Sequence, residues 1–258
     1  MSSSGARLGA EAEQRPAFYA LRRGAWRDLV NLLHPPYTLW HLSYVAIGAG
    51  AAWQIHAGRL AAAIAAFFLA VGIGAHSLDE LHGRPLGTLL PRRTLLALAA
   101  FGLGGGLAIG VAGVFLISAT LAPLVVAGAF LVLAYNLELF GGRFHTDFWF
   151  AAAWGAFPAL TGWWSNSLGL HSPREAITAA AAMLACFWLS VAQRRLSTPV
   201  RVLRRRTIAA RGEVRLADGT TRSLDAKSLS APLDGALRAL SVAVPLLACA
   251  AVALRIAA

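Results

Sequence analysis

The sequence predicts an all-α polytopic membrane protein, a bundle of about seven transmembrane helices, and three observations carry that prediction. Only 14% of the 258 residues are charged and 57% are hydrophobic, whereas soluble domains carry roughly 25% charged residues. Mean hydropathy is +0.60. Charged residues are missing from whole stretches, 60–74 and 94–137. The second stretch is too long for one crossing, because a helix needs only ~20 apolar residues to span the hydrocarbon core. The third observation is texture: these runs are rich in Ala, Leu and Gly and lack the alternation of a membrane barrel. Helices that satisfy their own backbone are then the expected solution.

Taken in order, residues 1–16 read as a polar, disordered tail without the pattern of a cleavable signal peptide. Residues 17–34 read as an interfacial amphipathic helix: Phe18, Leu21, Ala25, Leu29 and Leu32 follow helical spacing, while Arg22, Arg23 and Arg27 can face headgroups. His34-Pro35-Pro36 breaks that helix and opens a bundle over 35–258. Seven spans are expected at 37–54, 59–78, 94–113, 117–138, 147–165, 176–195 and 236–256. His56-Ala57-Gly58, Gly141-Gly142 and Ser172-Pro173 supply turns, while no charge marks the turn within 110–119.

Charge sets the expected orientation. With the N-terminus cytoplasmic, every Lys and Arg except Arg59, Arg174 and Arg255 falls on the cytoplasmic side, so N-in/C-out is expected. The net charge of +11 is thereby assigned to loops that flank spans and not to nucleic-acid binding. An inner or plasma membrane of bacterial type is the expected location, with membrane lipids as partners. Cys186 and Cys249 both fall in apolar spans, which argues against a disulfide framework. A basic cytoplasmic loop is expected at 196–235, with a hairpin signature over 212–222 around Asp218-Gly219. It reads as a solvated cap or a headgroup-binding patch.

Three junctions on that side concentrate polar groups. In the first, His76, Asp79, Glu80 and Gly83 share a helical face if the second span continues to Gly83. His76, Asp79 and Glu80 so placed suit a divalent cation such as Mg²⁺, and Arg84 suits a phosphate. The alternative is that they only end the span at the headgroups. The second junction offers Tyr135, Asn136 and Glu138 before the turn, then His145 and Asp147 after it. Asp147 equally suits a helix cap. The third runs from Gln193, Arg194 and Arg195 to Arg201 and on into Arg204-Arg205-Arg206, an arrangement suited to an anionic headgroup or a diphosphate or, alternatively, to a basic flank.

In order, these junctions resemble the UbiA-type superfamily of intramembrane prenyltransferases. His34-Pro35-Pro36-Tyr37-Thr38-Leu39-Trp40 looks like the family's Arg-Pro-x-Thr-Leu entry to its first helix. Residues 75–85 occupy the place of its first Asp-rich motif and end in Arg84-Pro85-Leu86; Asp79 keeps the middle Asp, His76 replaces the first and Gly83 the last. Tyr135-Asn136-Leu137-Glu138-Leu139, followed by Trp154-Gly155-Ala156-Phe157-Pro158, is similar to the family's Tyr-containing junction. The resemblance covers about residues 30–200. It implies a bundle around a cavity in which Mg²⁺ and two Asp-rich motifs hold an isoprenyl diphosphate for transfer to a lipid or aromatic acceptor. On that reading Asp79, Glu80, His145 and Asp147 are catalytic. His76, Asp79 and Glu80 hold metal, and Arg84, Tyr135, Asn136, Gln193, Arg194, Arg195 and Arg201 bind substrate. Two departures stand out: no acid occupies the place of the second Asp-rich motif, and seven spans replace the usual nine. A non-catalytic lipid-binding or assembly protein on the same scaffold is the second expectation, and a small transporter the third.

Overall fold

The computed structural model describes residues 16–22 and 24–257. Most of the expected tail, residues 1–15, lies outside the described residues. Helix α1 (Ala25–Leu32) precedes α2 (Pro35–Gly50), α3 (Ala57–Leu81) and α4 (Arg92–Leu116). A 3₁₀ turn at Ala119–Leu121 opens α5 (Ala122–Asn136). Helix α6 is continuous through Asp147–Ala151, a π-helical turn at Ala152–Ala156, and Phe157–Ser167. Helices α7 (Pro173–Arg205) and α8 (Ala226–Ala257) are joined by an antiparallel hairpin of β1 (Arg211–Arg215) and β2 (Thr221–Asp225), with Val214 opposite Arg222.

Among the described residues, five helices are long and apolar enough to cross a membrane: α3, α4, Ala119–Asn136, α7 and Ala226–Ile256. Helix α2 is not among them at 16 residues, nor is α6, whose second half carries Thr161, Ser165, Asn166 and Ser167. Phe115 and Leu116 on α4, Val126 on α5, Trp188 on α7 and Leu247 on α8 are exposed. An apolar exterior over so many helices suits lipid rather than water as the surrounding solvent.

Local chemistry sets the helix ends. Thr146 caps α6 by accepting from the Trp149 amide at 3.3 Å, and Ser172 caps α7 by accepting from Glu175 at 3.1 Å. Asp225 caps α8 by accepting from the Ser228 amide at 2.6 Å. Close helix crossings need glycine. A Cβ on Gly48 of α2 would sit 1.9 Å from the Ala159 carbonyl oxygen of α6, and one on Gly162 of α6 would sit 1.9 Å from the Val45 oxygen. One buried cluster joins α2, α6, α7 and α8 around Trp40, Tyr44, Ala159, Cys186, Leu237 and Val244. A second joins α3, α5 and α6 around Val71, Ala75, Val132, Tyr135, Ala153 and Trp154.

Two sequence expectations are corrected. The interfacial helix expected over 17–34 is only Ala25–Leu32. Residues 16–22 instead fold back in turns, held by two hydrogen bonds between the Leu21 backbone and the Asn31 side chain at 2.7 and 3.0 Å. Much of the loop expected at 196–235 is helical, because α7 continues through Pro199 to Arg205 and α8 begins at Ala226.

Candidate functional site

The ends of α3, α5 and α7 and the starts of α2, α6 and α8 surround a polar cavity of about 350 Å³. Residues 16–19 close one wall, with Tyr19 turned toward His34. Of the expected site residues, this cavity gathers His76, Asp79, Tyr135, Asn136, His145, Gln193, Arg194 and Arg201. It also gathers Arg205 from the basic run of the third junction, and Tyr19, His34, Tyr37, His41 and Ser197, which were not expected at a site.

Two π-helical stretches shape this wall. In α3, residues Phe68–Ala75 are π-helical and lead directly into His76–Leu81. π-Turns displace backbone carbonyls from the regular ladder, and such groups need partners when buried. The Nδ1–H of His76 donates to the Gly72 carbonyl at 3.2 Å, and that of His41 to the Trp154 carbonyl in the α6 π-turn at 2.8 Å. A carbonyl can only accept, so both imidazoles carry hydrogen on Nδ1 and keep Nε2 as an acceptor.

Helix α7 supplies the cations. Arg194, Ser197, Arg201 and Arg205 all line the cavity, at i, i+3, i+7 and i+11, the spacing of one helical face. Arg194 is the most fixed. Its Nε donates to Asp147 at 2.5 Å, its Nη1 donates to the Tyr135 hydroxyl at 2.8 Å, and its guanidinium carbon lies 5.0 Å from the Phe150 ring centre. Arg205 donates through Nε to the Pro16 carbonyl at 3.2 Å, and Arg201 donates to Thr198 Oγ1 at 3.1 Å. Tyr135 in turn stacks on His145, whose Nδ1 meets the Tyr135 carbonyl at 3.1 Å. The Asp79 carboxylate lines the cavity with no hydrogen-bonding or ionic partner among the described residues. Gln193 is buried on the same wall, and its Oε1 is likewise unpartnered.

Other expected site residues do different work. Glu80 is buried and turned away from Asp79's cavity. Its Oε2 accepts from the Leu86 amide at 3.0 Å, and its Oε1 accepts from the Thr88 amide and hydroxyl at 2.8 and 2.9 Å. Adjacent helical residues point about 100° apart, so Asp79 and Glu80 serve different faces. Arg84 is exposed, with φ of 49°, and donates to the Thr88 and Leu90 carbonyls. Both residues therefore organise the loop after α3. Asp147 lies outside the cavity lining and steadies Arg194, while Arg195 is exposed and also outside it.

The Mg²⁺ implied by the family resemblance would need close to six oxygen ligands in octahedral geometry, mostly carboxylate and water. Here Asp79 is the one acid of the expected trio that faces the cavity. Glu80 is held by the loop, and the His76 ring lies against His34 with centroids 4.4 Å apart. Among the described residues no group of three or more His, Cys, Asp and Glu side chains is placed to hold a metal. The residues present do not fit a resident Mg²⁺.

A second, apolar cavity of about 290 Å³ runs between α3, α4, α5 and α6. Its lining extends from Arg59 to Val71 along α3, roughly 18 Å at 1.5 Å per residue. Val71 and Trp154 line both cavities, so the polar chamber and the apolar one meet at these two side chains. Outside the membrane-spanning segments, His34 is held well below the ordinary imidazole value of 6.5 by burial, then by nearby His76, Arg205 and Arg201. Burial raises the Tyr19 phenol. Comparison with protein-family models, with curated proteins and with solved structures found no match for this chain.

Proposed function

We propose that this chain is a UbiA-like, seven-span, N-in membrane protein that transfers a prenyl group from an isoprenyl phosphate ester to a lipid or aromatic acceptor. The observation that carries the reading is the meeting of a basic polar chamber and a long apolar chamber at Val71 and Trp154. An amphiphile with an anionic head and a slender hydrocarbon tail matches both halves at once. A chamber roughly 18 Å deep exceeds half of a ~30 Å hydrocarbon core, so it suits a long chain. Helices α2 and α6 are the two additional crossings in this reading, and the basic flanks orient the N-terminus toward the cytoplasm.

The chemistry is a substitution at the first prenyl carbon. The bond from that carbon to the ester oxygen breaks, and the phosphate leaves with the bonding pair. The acceptor's nucleophilic atom forms the new bond, and its proton passes to Asp79, the unpartnered carboxylate of the chamber. Arg194 and Arg201 offset the charge growing on the leaving group, and the fixed geometry of Arg194 limits reorganisation during the step.

Incubating the purified protein with labelled prenyl diphosphate and a membrane lipid extract tests this. A labelled, chloroform-soluble product that disappears with Asp79→Ala is the expected result. The second reading is a lipid-binding protein without turnover, favoured by the absence of acids among Gln193, Arg194 and Arg195. A copurifying prenyl lipid with no labelled product would select it, and the absence of both would remove the amphiphile reading.

A further inference from the structure

We infer that the polar chamber holds its anionic head directly on the guanidinium groups of Arg194, Arg201 and Arg205, with no divalent cation bridging head and protein. The inference rests on the amphiphile reading for the tail and departs from the family expectation for the head.

Three observations carry it. First, the three arginines occupy one face of α7 and all line the chamber. Guanidinium forks match phosphate oxygens by paired, charge-assisted hydrogen bonds. Second, the acids nearby are largely committed elsewhere. Glu80 binds the loop after α3, Asp147 holds Arg194, and Asp234 pairs with Arg204. Asp79 and Glu138 also line the chamber, but among the described residues no three His, Cys, Asp or Glu side chains are grouped to hold a cation, and two carboxylates balance only part of the charge that α7 presents. Third, the chamber contains a built polar wall beyond the charges. Gln193 is 3% exposed, and its Oε1 has no donor among the described residues. A protonated phosphate oxygen or an acceptor hydroxyl would provide one. The histidines leave the charge balance unchanged when neutral, and the Nδ1 hydrogen bonds of His41 and His76 to carbonyls keep an acceptor nitrogen on each ring.

The test measures binding apart from turnover. Farnesyl phosphate, farnesyl diphosphate and uncharged farnesol are titrated into the full-length protein in lipid nanodiscs by isothermal calorimetry, in excess EDTA and then in excess Mg²⁺. The inference expects both phosphate esters to bind more tightly than farnesol, with affinity unchanged within about twofold by the metal. Arg201 is exposed and among the described residues hydrogen-bonds to Thr198 alone, so it can be changed without disturbing the Arg194 network. Arg201→Ala should weaken the phosphate esters about tenfold and leave farnesol unaffected, and Arg201→Lys should restore only part of the loss. Binding of the phosphate esters only when Mg²⁺ is present would overturn the inference and leave the amphiphile reading intact. Equal affinity for farnesol and its phosphates, or no effect of Arg201→Ala, would overturn the head assignment while sparing the tail chamber. Failure of all three probes to bind would overturn both.

Discussion

The rings of His34 and His76 lie against each other with centroids 4.4 Å apart, and the Tyr19 hydroxyl meets His34 Nδ1 at 2.5 Å. The segment before α1 is thereby tied through His34 to the end of α3. His34 adopts φ 45° and ψ 56° directly before Pro35. That left-handed conformation is unfavourable for a non-glycine residue, and a following proline narrows the choice further. Side chains that hold a residue there against about 1–3 kcal/mol of strain are more often found at sites than in plain turns.

This latch should respond to pH. The charged and titratable groups facing His34 are Tyr19, His76, Arg201 and Arg205. Burial and the three cationic or imidazole neighbours depress the His34 pKa in the folded state, so the released segment takes up the proton more readily. The contribution of neutral His34 is full above its ordinary value of about 6.5 and declines as pH falls below it. Hydrogen exchange of residues 16–22, corrected for intrinsic rate, should quicken on acidification, and His34→Gln should remove that step. A flat profile in the unaltered protein would refute the latch.

Glu80 should matter for folding and not for metal. Removing its carboxylate strands the buried amides of Leu86 and Thr88, and each buried donor left unsatisfied costs about 1–3 kcal/mol. Glu80→Ala is expected to lower the unfolding temperature clearly in detergent, with Glu80→Gln milder because an amide oxygen still accepts. Mg²⁺ should rescue neither variant. A variant of normal stability that gains a strong Mg²⁺ requirement would assign Glu80 to a cation after all.

The same pair of residues shows what the sequence could and could not reveal. The apolar helices were legible because lipid demands long uncharged runs, and the polar junctions were legible because charge returns at helix ends. Which neighbour faces inward was not. Asp79 and Glu80 are adjacent in sequence, yet one lines the chamber and the other binds a loop. Both lie in the regular α-helical stretch His76–Leu81, where neighbours point about 100° apart, so the packing around the helix decides which of them faces the chamber. Arg205 was legible as part of a basic run, but not its place on the Arg194 and Arg201 face, because the helix was expected to stop before Pro199. The contact of His34 with His76 left no local trace, because it joins separate helices across the fold.

Glycine substitutions should separate helix crossings from chamber lining. A methyl at Gly48 would meet the Ala159 carbonyl oxygen at 1.9 Å, a distance that no side-chain adjustment can relieve because the obstacle is backbone. Helices α2 and α6 would have to part, disturbing the core around Trp40 and Tyr44. Overpacking typically costs about 1–3 kcal/mol, and more where backbones collide. Gly48→Ala is therefore expected to reduce the yield of folded protein and its melting temperature. Gly104 lines the apolar chamber, and a Cβ there meets nothing within 4 Å. Gly104→Ala should be neutral or slightly stabilising, since glycine in a helix interior is about 1 kcal/mol worse than alanine. Gly104→Phe should fold but weaken binding of farnesyl phosphate more than that of inorganic diphosphate, because it fills space meant for the tail. Thermal unfolding paired with calorimetry checks all three, and equal stability of the Gly48 and Gly104 alanine variants would contradict the close crossing.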